Sequence, residues 1–383
     1  MDRFDYLVIG AGIAGASAAA ELAAAGSVLL VEAEGQPGYH ATGRSAAMFT
    51  ATYGPPAIRA LTAASRDFLA APPDGFGDQP LLRSRGILLI GRADQRRSLA
   101  AALADGRHTV ADLRALDADE AVRLVPALRR DYVAGAVHEP GAMDLDVHAL
   151  HGGYLRRLKA RGGRLLTDAA VTALTRSGGR WRADTAAGPV AADTVVNAAG
   201  AWADAVAGLA GARPIGLVPK RRTALVFDAD PPVAPESWPM VIDVDERFYV
   251  KPESGRLLGS PADETPMPPC DVQPEELDVA VAIDRIERAT TLKVRRVTHR
   301  WAGLRSFVAD KSPVVGWDDA ADGFFWLAGQ GGYGIQTAPA LARVAAGLAS
   351  GKGLPHDIAE RGVTAAALSP RRLSVPPGDR RCN

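Results

Sequence analysis

The sequence predicts an α/β protein in two parts, a Rossmann-type nucleotide-binding domain and a second, sheet-containing substrate domain. Three observations carry the prediction. An apolar run, Tyr6 to Ile9, has the length of a buried parallel strand, and Gly10, Gly12 and Gly15 then space out G-x-G-x-x-G where an alanine-rich helix opens. A second apolar strand, Ser27 to Val31, ends in Glu32, about twenty residues from the first glycine. The chain then runs on to 383 residues, enough for two or three domains.

The glycines have steric reasons. Gly10 permits the tight turn, Gly12 lets a pyrophosphate approach the backbone, and Gly15 lets helix and strand pack closely. Phosphates would then rest on helix N–H groups. A carboxylate at Glu32 can accept from both hydroxyls of an adenosine ribose and repels a 2′-phosphate, so FAD or NAD fits better than NADP. A glycine-rich turn in an ordinary α/β unit is the competing reading of the triplet alone.

Charge and composition narrow the partner. Lys plus Arg and Asp plus Glu both number 44, so no electrostatic footprint for nucleic acid exists, and a small-molecule partner is expected. The only cysteines are Cys270 and Cys382, which argues against a disulfide framework and against thiolate metal sites. No H-E-x-x-H or C-x-x-C occurs, and no metal is expected. The first apolar stretch lacks a basic leader and is too short to span a bilayer, so a cytoplasmic protein is expected, with a membrane-peripheral position left open.

After Glu32 the chain reads QPGYHATGRSAAMFTATYGPP, loop chemistry in which Gly38, Thr42, Gly43, Arg44 and Ser45 can turn tightly and offer donors to a ring system. Here the sequence resembles a known family. The nucleotide motif followed by G-Y-H-A-T-G-R-S-A-A is similar to the FAD-dependent D-amino acid oxidase and glycine oxidase superfamily, and most similar to its D-arginine dehydrogenase branch. The resemblance implies a glutathione-reductase-like FAD domain built from residues 1–82, 145–213 and 300–375, and a substrate domain from 83–144 and 214–299. It also implies FAD held without a covalent bond, since neither cysteine lies in the flavin-facing motifs.

Further elements follow in order. IRALTAASRDFL, Ile58 to Leu69, suits a helix stopped by Pro72 and Pro73, and Gly86 to Ile90 a strand. Gly91 to Leu128 has helical spacing with solvated charges. Asp144 to Arg161 is a helix with aspartates early and cations late. Its His148 and His151, spaced i and i+3 with no further ligands, read as surface or capping residues. Short strands at Arg164 to Leu166, Val171 to Thr175, Arg180 to Asp184 and Val190 to Val196 lead into a small-residue turn, Asn197 to Gly200, which the resemblance makes a return to the FAD domain.

In PIGLVPKRRTALVF, Pro214 to Phe227, strand alternation puts Lys220, Arg222, Ala224 and Val226 on one face and Arg221, Thr223, Leu225 and Phe227 on the other, so one arginine points inward. Glu246 to Lys251 reads as a strand that separates Phe248 from Tyr249, and Leu257 to Ser260 as the next strand. Asp278 to Ala289 has helical periodicity and Thr290 to Val297 strand propensity. Trp301 to Arg305, W-A-G-L-R, and Gly329 to Gln336, a glycine turn at the start of the last long helix, again match the superfamily. A helix N-terminus there would favour the negative charge of reduced flavin.

The resemblance implies the following site. Arg222, Arg305, Tyr53 and Tyr249 hold the substrate carboxylate, and a backbone carbonyl near Gly332 holds its amine. Cofactor contacts fall on Gly10, Gly12, Ile13, Ala14, Gly15, Glu32 and Ala33, and on the loop Thr42, Gly43, Arg44, Ser45, Ala46 and Ala47. They continue at Val171, Ala199, Gly200 and Trp202, then at Gly303 and Arg305, and end at Gly331, Gly332, Tyr333, Gly334, Ile335 and Gln336. Where the D-arginine enzymes place a histidine and a glutamate around the guanidinium, this chain has Met48 and Ile87, while Thr50 is kept.

The expected reaction is therefore oxidation of a D-amino acid with an apolar side chain to an imino acid and then, with water, a 2-oxo acid, a step of amino-acid catabolism. Hydride passes from Cα to flavin N5. The electron acceptor is an unidentified carrier or quinone. A secondary-amine, N-methyl amino acid or glycine oxidase on the same scaffold is the first rival, and a non-catalytic flavin-binding subunit the second.

Overall fold

A computed structural model describes residues 2–77, 79–233 and 235–373. Two large mixed sheets and one small sheet carry the chain. In the first, the strand Arg3–Ile9 lies parallel between Val28–Val31 and Gly188–Asn197. Arg164–Leu166 and Phe324–Ala328 extend it in parallel on either side. An antiparallel meander, Val171–Ser177 and Arg180–Thr185, feeds Gly188–Asn197. The central strands are buried on both faces, as parallel strands between covering layers are. The helices Ile13–Leu22, Val147–Ala160 and Gly334–Ala349 pack on one face. Small side chains such as Ala16, Ala18, Ala19 and Ala20 let these helices approach.

The second sheet orders nine strands around the long antiparallel pair Val218–Asp230 and Lys293–Phe307. From that pair it continues through Arg256–Ser260, Tyr249–Glu253, Met240–Asp243, Ile87–Gly91 and Gly135–Glu139 to Arg114–Leu116. One face carries Leu225, Phe227, Phe248, Val250, Leu88 and Ile90, which pack with Val279, Ala282 and Ile286 of the helix Glu276–Ala289. The other face turns toward the first sheet. A three-stranded sheet of Met48–Phe49, Leu82–Ser84 and Met143–Leu145 closes the side.

Most expected elements form near their expected bounds, and five details differ. The strand expected from Glu246 starts at Tyr249, because Glu246 sits in a turn with φ of 53°. Gly91 to Leu128 holds a short strand, Arg114–Leu116, between its helices Arg96–Gly106 and Ala118–Leu124. Both Arg221 and Arg222 are buried, on opposite faces; Arg221 is paired with Glu275 and Asp278 at the start of the helix behind the sheet. His151 is also buried rather than on the surface, with Nε2 2.9 Å from Ala11 O. The boundary expected at residue 300 falls inside the strand Lys293–Phe307, all of which belongs to the second sheet. Cys382 and residues 374–375 lie outside the described residues. Among the described residues no helix is long and apolar enough to cross a membrane, and no cluster of metal-ligating side chains occurs.

Candidate functional site

The first cavity is a groove along the carboxyl ends of the parallel strands, where ligands bind in open α/β sheets. Gly10 has φ of 99°, and a Cβ there would stand 2.6 Å from Ala198 O. At Gly15 a Cβ would stand 1.8 Å from Gly10 O, so helix and strand touch through glycine backbone. Ala16 N–H is the first to donate to a helical carbonyl, Gly12 O, and Ile13 N–H is held by Thr42 Oγ1 at 2.9 Å. The remaining N–H groups of that turn stay available to an anion in the groove. Glu32 lines the groove and accepts from Ala11 N–H at 2.7 Å, while His151 binds the carbonyl of the same residue. Ala11 is thus pinned on both sides of its peptide.

Gly12, Ile13, Ala14, Ala33, Thr42, Arg44, Ser45, Ala46 and Val171 line this groove. So do Ala199, Gly200, Trp202, Gly303, Gly331, Gly332, Gly334 and Ile335. Gly15 and Gly43 are packing positions. Gly15 closes the helix on the strand, and Gly43 closes its own loop, its N–H donating to Gly38 O at 2.8 Å. Ala47, Tyr333 and Gln336 line the second cavity and not the groove.

Arg44 lines the groove, but its guanidinium ties the loop to a strap across the mouth. It donates to Val272 O at 3.1 Å and Ala302 O at 3.0 Å and pairs with Asp271, while Trp301 Nε1 donates to Arg44 O at 2.9 Å. The strap brings Cys270 onto the groove lining, although it lies outside the glycine and loop motifs of the sequence. His40 lines the groove as well, its ring 4.6 Å from that of Trp202.

A second cavity, about 420 Å³, opens from the inner end of the groove. Ser45, Ala46, Arg222, Tyr249, Arg305, Gly332 and Ile335 line both. Strand register explains the wall. Lys220 pairs with Arg305 and Arg222 with Gly303, which puts both arginines on one face as diagonal neighbours. Val226 opposite Leu258, Tyr249 opposite Ser260, Ile242 opposite Tyr249 and Leu89 opposite Ile242 carry the same face across the sheet. Ile87 and Met240, also a register pair, complete it. Met48 and Thr50, from the small sheet and the chain after it, line the opposite side.

The polar end is concentrated. Arg305 Nη1 donates to Tyr53 Oη at 3.4 Å and packs against Gly332, where a Cβ would stand 3.0 Å from Nη1. Among the described residues no carboxylate pairs with Arg305. Arg222 donates to Asp263 O at 2.9 Å and to Glu264 at 3.2 Å. Burial first, and then the charge of Arg305, push the Arg222 guanidinium below its ordinary value. Burial raises the Tyr53 phenol, so it stays a donor across the neutral range. Glu246 lines the cavity from its turn.

The remaining wall is apolar, formed by Met48, Ile87, Leu89, Met240, Ile242 and Ala262. Sequence reading missed Met240, Ile242 and Leu89, whose only signal is alternation within short strands. It also missed Glu139, which is 4 % exposed and accepts from Thr50, Ala51 and Thr52. Thr50 is kept as expected, but its hydroxyl is turned to that carboxylate.

Known proteins share this architecture along the whole chain. A glycine oxidase of Pseudomonas aeruginosa is 26 % identical over 90 % of this chain and 94 % of its own. The crystal structure of iminodiacetate oxidase from Chelativorans sp. superposes with a TM-score of 0.77 at 25 % identity, covering 95 % of this chain and 98 % of that one. L-proline dehydrogenase from P. horikoshii superposes with a TM-score of 0.84 at 20 % identity, 97 % of this chain against 98 % of its own. Residues 5–348 match the DAO family, FAD dependent oxidoreductase. Glycine-cradled groove, shared cavity wall and matched length therefore have one explanation: this chain belongs to the FAD-dependent oxidoreductases of the DAO family.

Proposed function

We propose that the protein is a D-amino acid dehydrogenase of the D-arginine dehydrogenase branch, acting on substrates with apolar side chains. The observation that carries the reading is the second cavity, where two arginines stand at the junction with the cofactor groove and a wall of Met48, Ile87, Met240 and Ile242 lies beyond them. FAD, when bound, supplies the acceptor for the hydride from Cα. Residues 1–82, 145–213 and 300–375 would hold it and 83–144 with 214–299 the substrate, the strand across residue 300 serving both.

The chain's own task is orientation. Arg305 and Arg222 bind the carboxylate with charge-assisted bonds, Tyr53 and Tyr249 add hydroxyl donors, and a backbone carbonyl near Gly332 receives the amine. So held, the substrate loses hydride from Cα and a proton from nitrogen, and the imino acid leaves to be hydrolysed. No strong side-chain base is required. The D configuration rests on the resemblance alone.

The glycine and secondary-amine reading has the relatives' names in its favour, glycine oxidase and iminodiacetate oxidase. The cavity's size favours a substrate with a side chain. Reduction of an artificial dye with D- and L-amino acids, glycine, N-methyl amino acids and iminodiacetate, with and without oxygen, decides between them. Apolar D-amino acids should lead, with slow reoxidation by air; glycine or iminodiacetate in the lead would overturn the reading. A purified chain that turns over excludes a non-catalytic subunit.

We also propose that FAD is held without a covalent bond. Acid precipitation should release all the yellow colour, whereas a yellow pellet would point to Cys270 or His40, both on the groove.

A further inference from the structure

Glu139 ends the strand Gly135–Glu139, opposite Ile87 in register, and lies just behind the cavity wall. It is 4 % exposed, and its contacts are all with neutral donors. Oε2 accepts from Thr50 Oγ1 at 2.9 Å and Thr52 Oγ1 at 2.6 Å, and Oε1 accepts from Ala51 N–H at 2.8 Å. A buried carboxylate is costly unless hydrogen bonds replace its water. Here three consecutive residues supply those bonds, and the next residue is Tyr53, whose hydroxyl accepts from Arg305.

The same segment is gripped by a helix that packs on the first sheet. Gln336, in the first turn of the helix Gly334–Ala349, accepts from Thr50 N–H at 3.2 Å and donates to Thr62 Oγ1 at 2.8 Å. Thr50 thus connects a strand of the second sheet with a helix of the first.

We infer that Glu139 is a positioning residue for substrate binding: by holding Thr50 to Thr52 it sets Tyr53 against Arg305, so that the carboxylate site is assembled before substrate arrives. The inference rests on the reading of Arg222 and Arg305 as a carboxylate site. It assigns no contact between Glu139 and substrate. Preorganised donors lower the entropy lost on binding, so release of the segment weakens affinity more than it slows the bound substrate.

Glutamine can preserve the arrangement. Its carbonyl accepts from Ala51 N–H while its amide donates to the two threonine hydroxyls, which rotate to accept. Leucine preserves none of it. Flavin-loaded Glu139→Leu should lose hydrogen-exchange protection in the peptide across Thr50 to Tyr53, and its affinity for benzoate, read from the flavin spectrum, should fall about tenfold or more. Glu139→Gln should remain near wild type in both. In a Tyr53→Phe background the leucine substitution should change benzoate affinity little.

Retained protection in Glu139→Leu overturns the inference, as does lost protection with unchanged affinity, or an affinity loss that persists undiminished beside Tyr53→Phe. Wild-type enzyme that binds no benzoate, with Arg305→Met unaltered in every respect, would instead overturn the carboxylate reading beneath it. Should Glu139→Leu fail to accumulate with flavin, Thr52→Val, which removes one donor, is judged by the same criteria.

Discussion

The dinucleotide groove and the substrate cavity meet at Gly332, yet they are built by opposite means. The groove is made of backbone: Gly10, Gly12 and Gly15 act through the side chains they lack, within a few residues of one another. The cavity is made of side chains from strands far apart in sequence, aligned by register on one face of a sheet. A backbone site is therefore intolerant of any added atom, whereas a register-built site tolerates exchanges of side chain and changes its substrate instead. Relatives named for glycine, proline and iminodiacetate share this fold with the chain.

Gly15 is the position of the groove least able to accept a side chain. A Cβ there would lie 1.8 Å from Gly10 O, so Gly15→Ala forces helix and strand apart. The variant should bind no FAD or fail to accumulate, read from the ratio of flavin to protein absorbance. Full flavin content would show that the close contact is dispensable. The next effect belongs to the cavity. Arg305→Met and Arg222→Met should each cost about 2 to 5 kcal/mol in kcat/KM with flavin content unchanged. Loss of flavin from either would join the two regions that this comparison separates.

The same contrast explains what could be read in advance. Strand, glycine triplet, helix and Glu32 are local signals, because each glycine's reason lies within its own turn. Arg222 and Arg305 were matched by resemblance, but nothing local indicates that one has Asp263 and Glu264 as partners while the other has Tyr53. Met240 and Ile242 stayed invisible because two residues of alternation look the same on either face of a sheet. The spacing of His148 and His151, with no further metal ligands, reads as surface or capping residues, whereas the fold uses the helix to bring one imidazole against Ala11 O. Cys270 illustrates the limit of distance along the chain, since only the strap held by Arg44 carries it to the groove.

A smaller effect tests the apolar wall. Ile87 is 5 % exposed and lines the cavity opposite the small sheet that carries Met48. A guanidinium buried there would lose its charge partner unless Glu246 reached it, while an apolar side chain gains about 0.8 kcal/mol per buried methylene. Ile87→Glu should raise activity on D-arginine relative to D-leucine about tenfold, or about 1.4 kcal/mol. Wild-type preference for D-arginine would refute the apolar pocket and assign the charge to Glu246, which lines the same cavity.

The smallest effect concerns His151, which supports the groove without lining it. Burial pushes its imidazole below the ordinary value of 6.5; His148 acts in the same direction, and the Ala11 hydrogen bond and Glu32 oppose it. As pH falls below 6.5, the unfolded chain takes up a proton that the folded chain resists, so the folded state loses stability in that window and is unaffected above it. Neutral or charged, the ring donates to Ala11 O, and Ala11 N–H donates to Glu32, so the cost of charging is the desolvation of a buried imidazole and not the loss of that bond. Between about pH 7.5 and about pH 5.5 the melting temperature of the flavin-loaded protein should drop more in wild type than in His151→Gln. Equal slopes would remove His151 from the acid response.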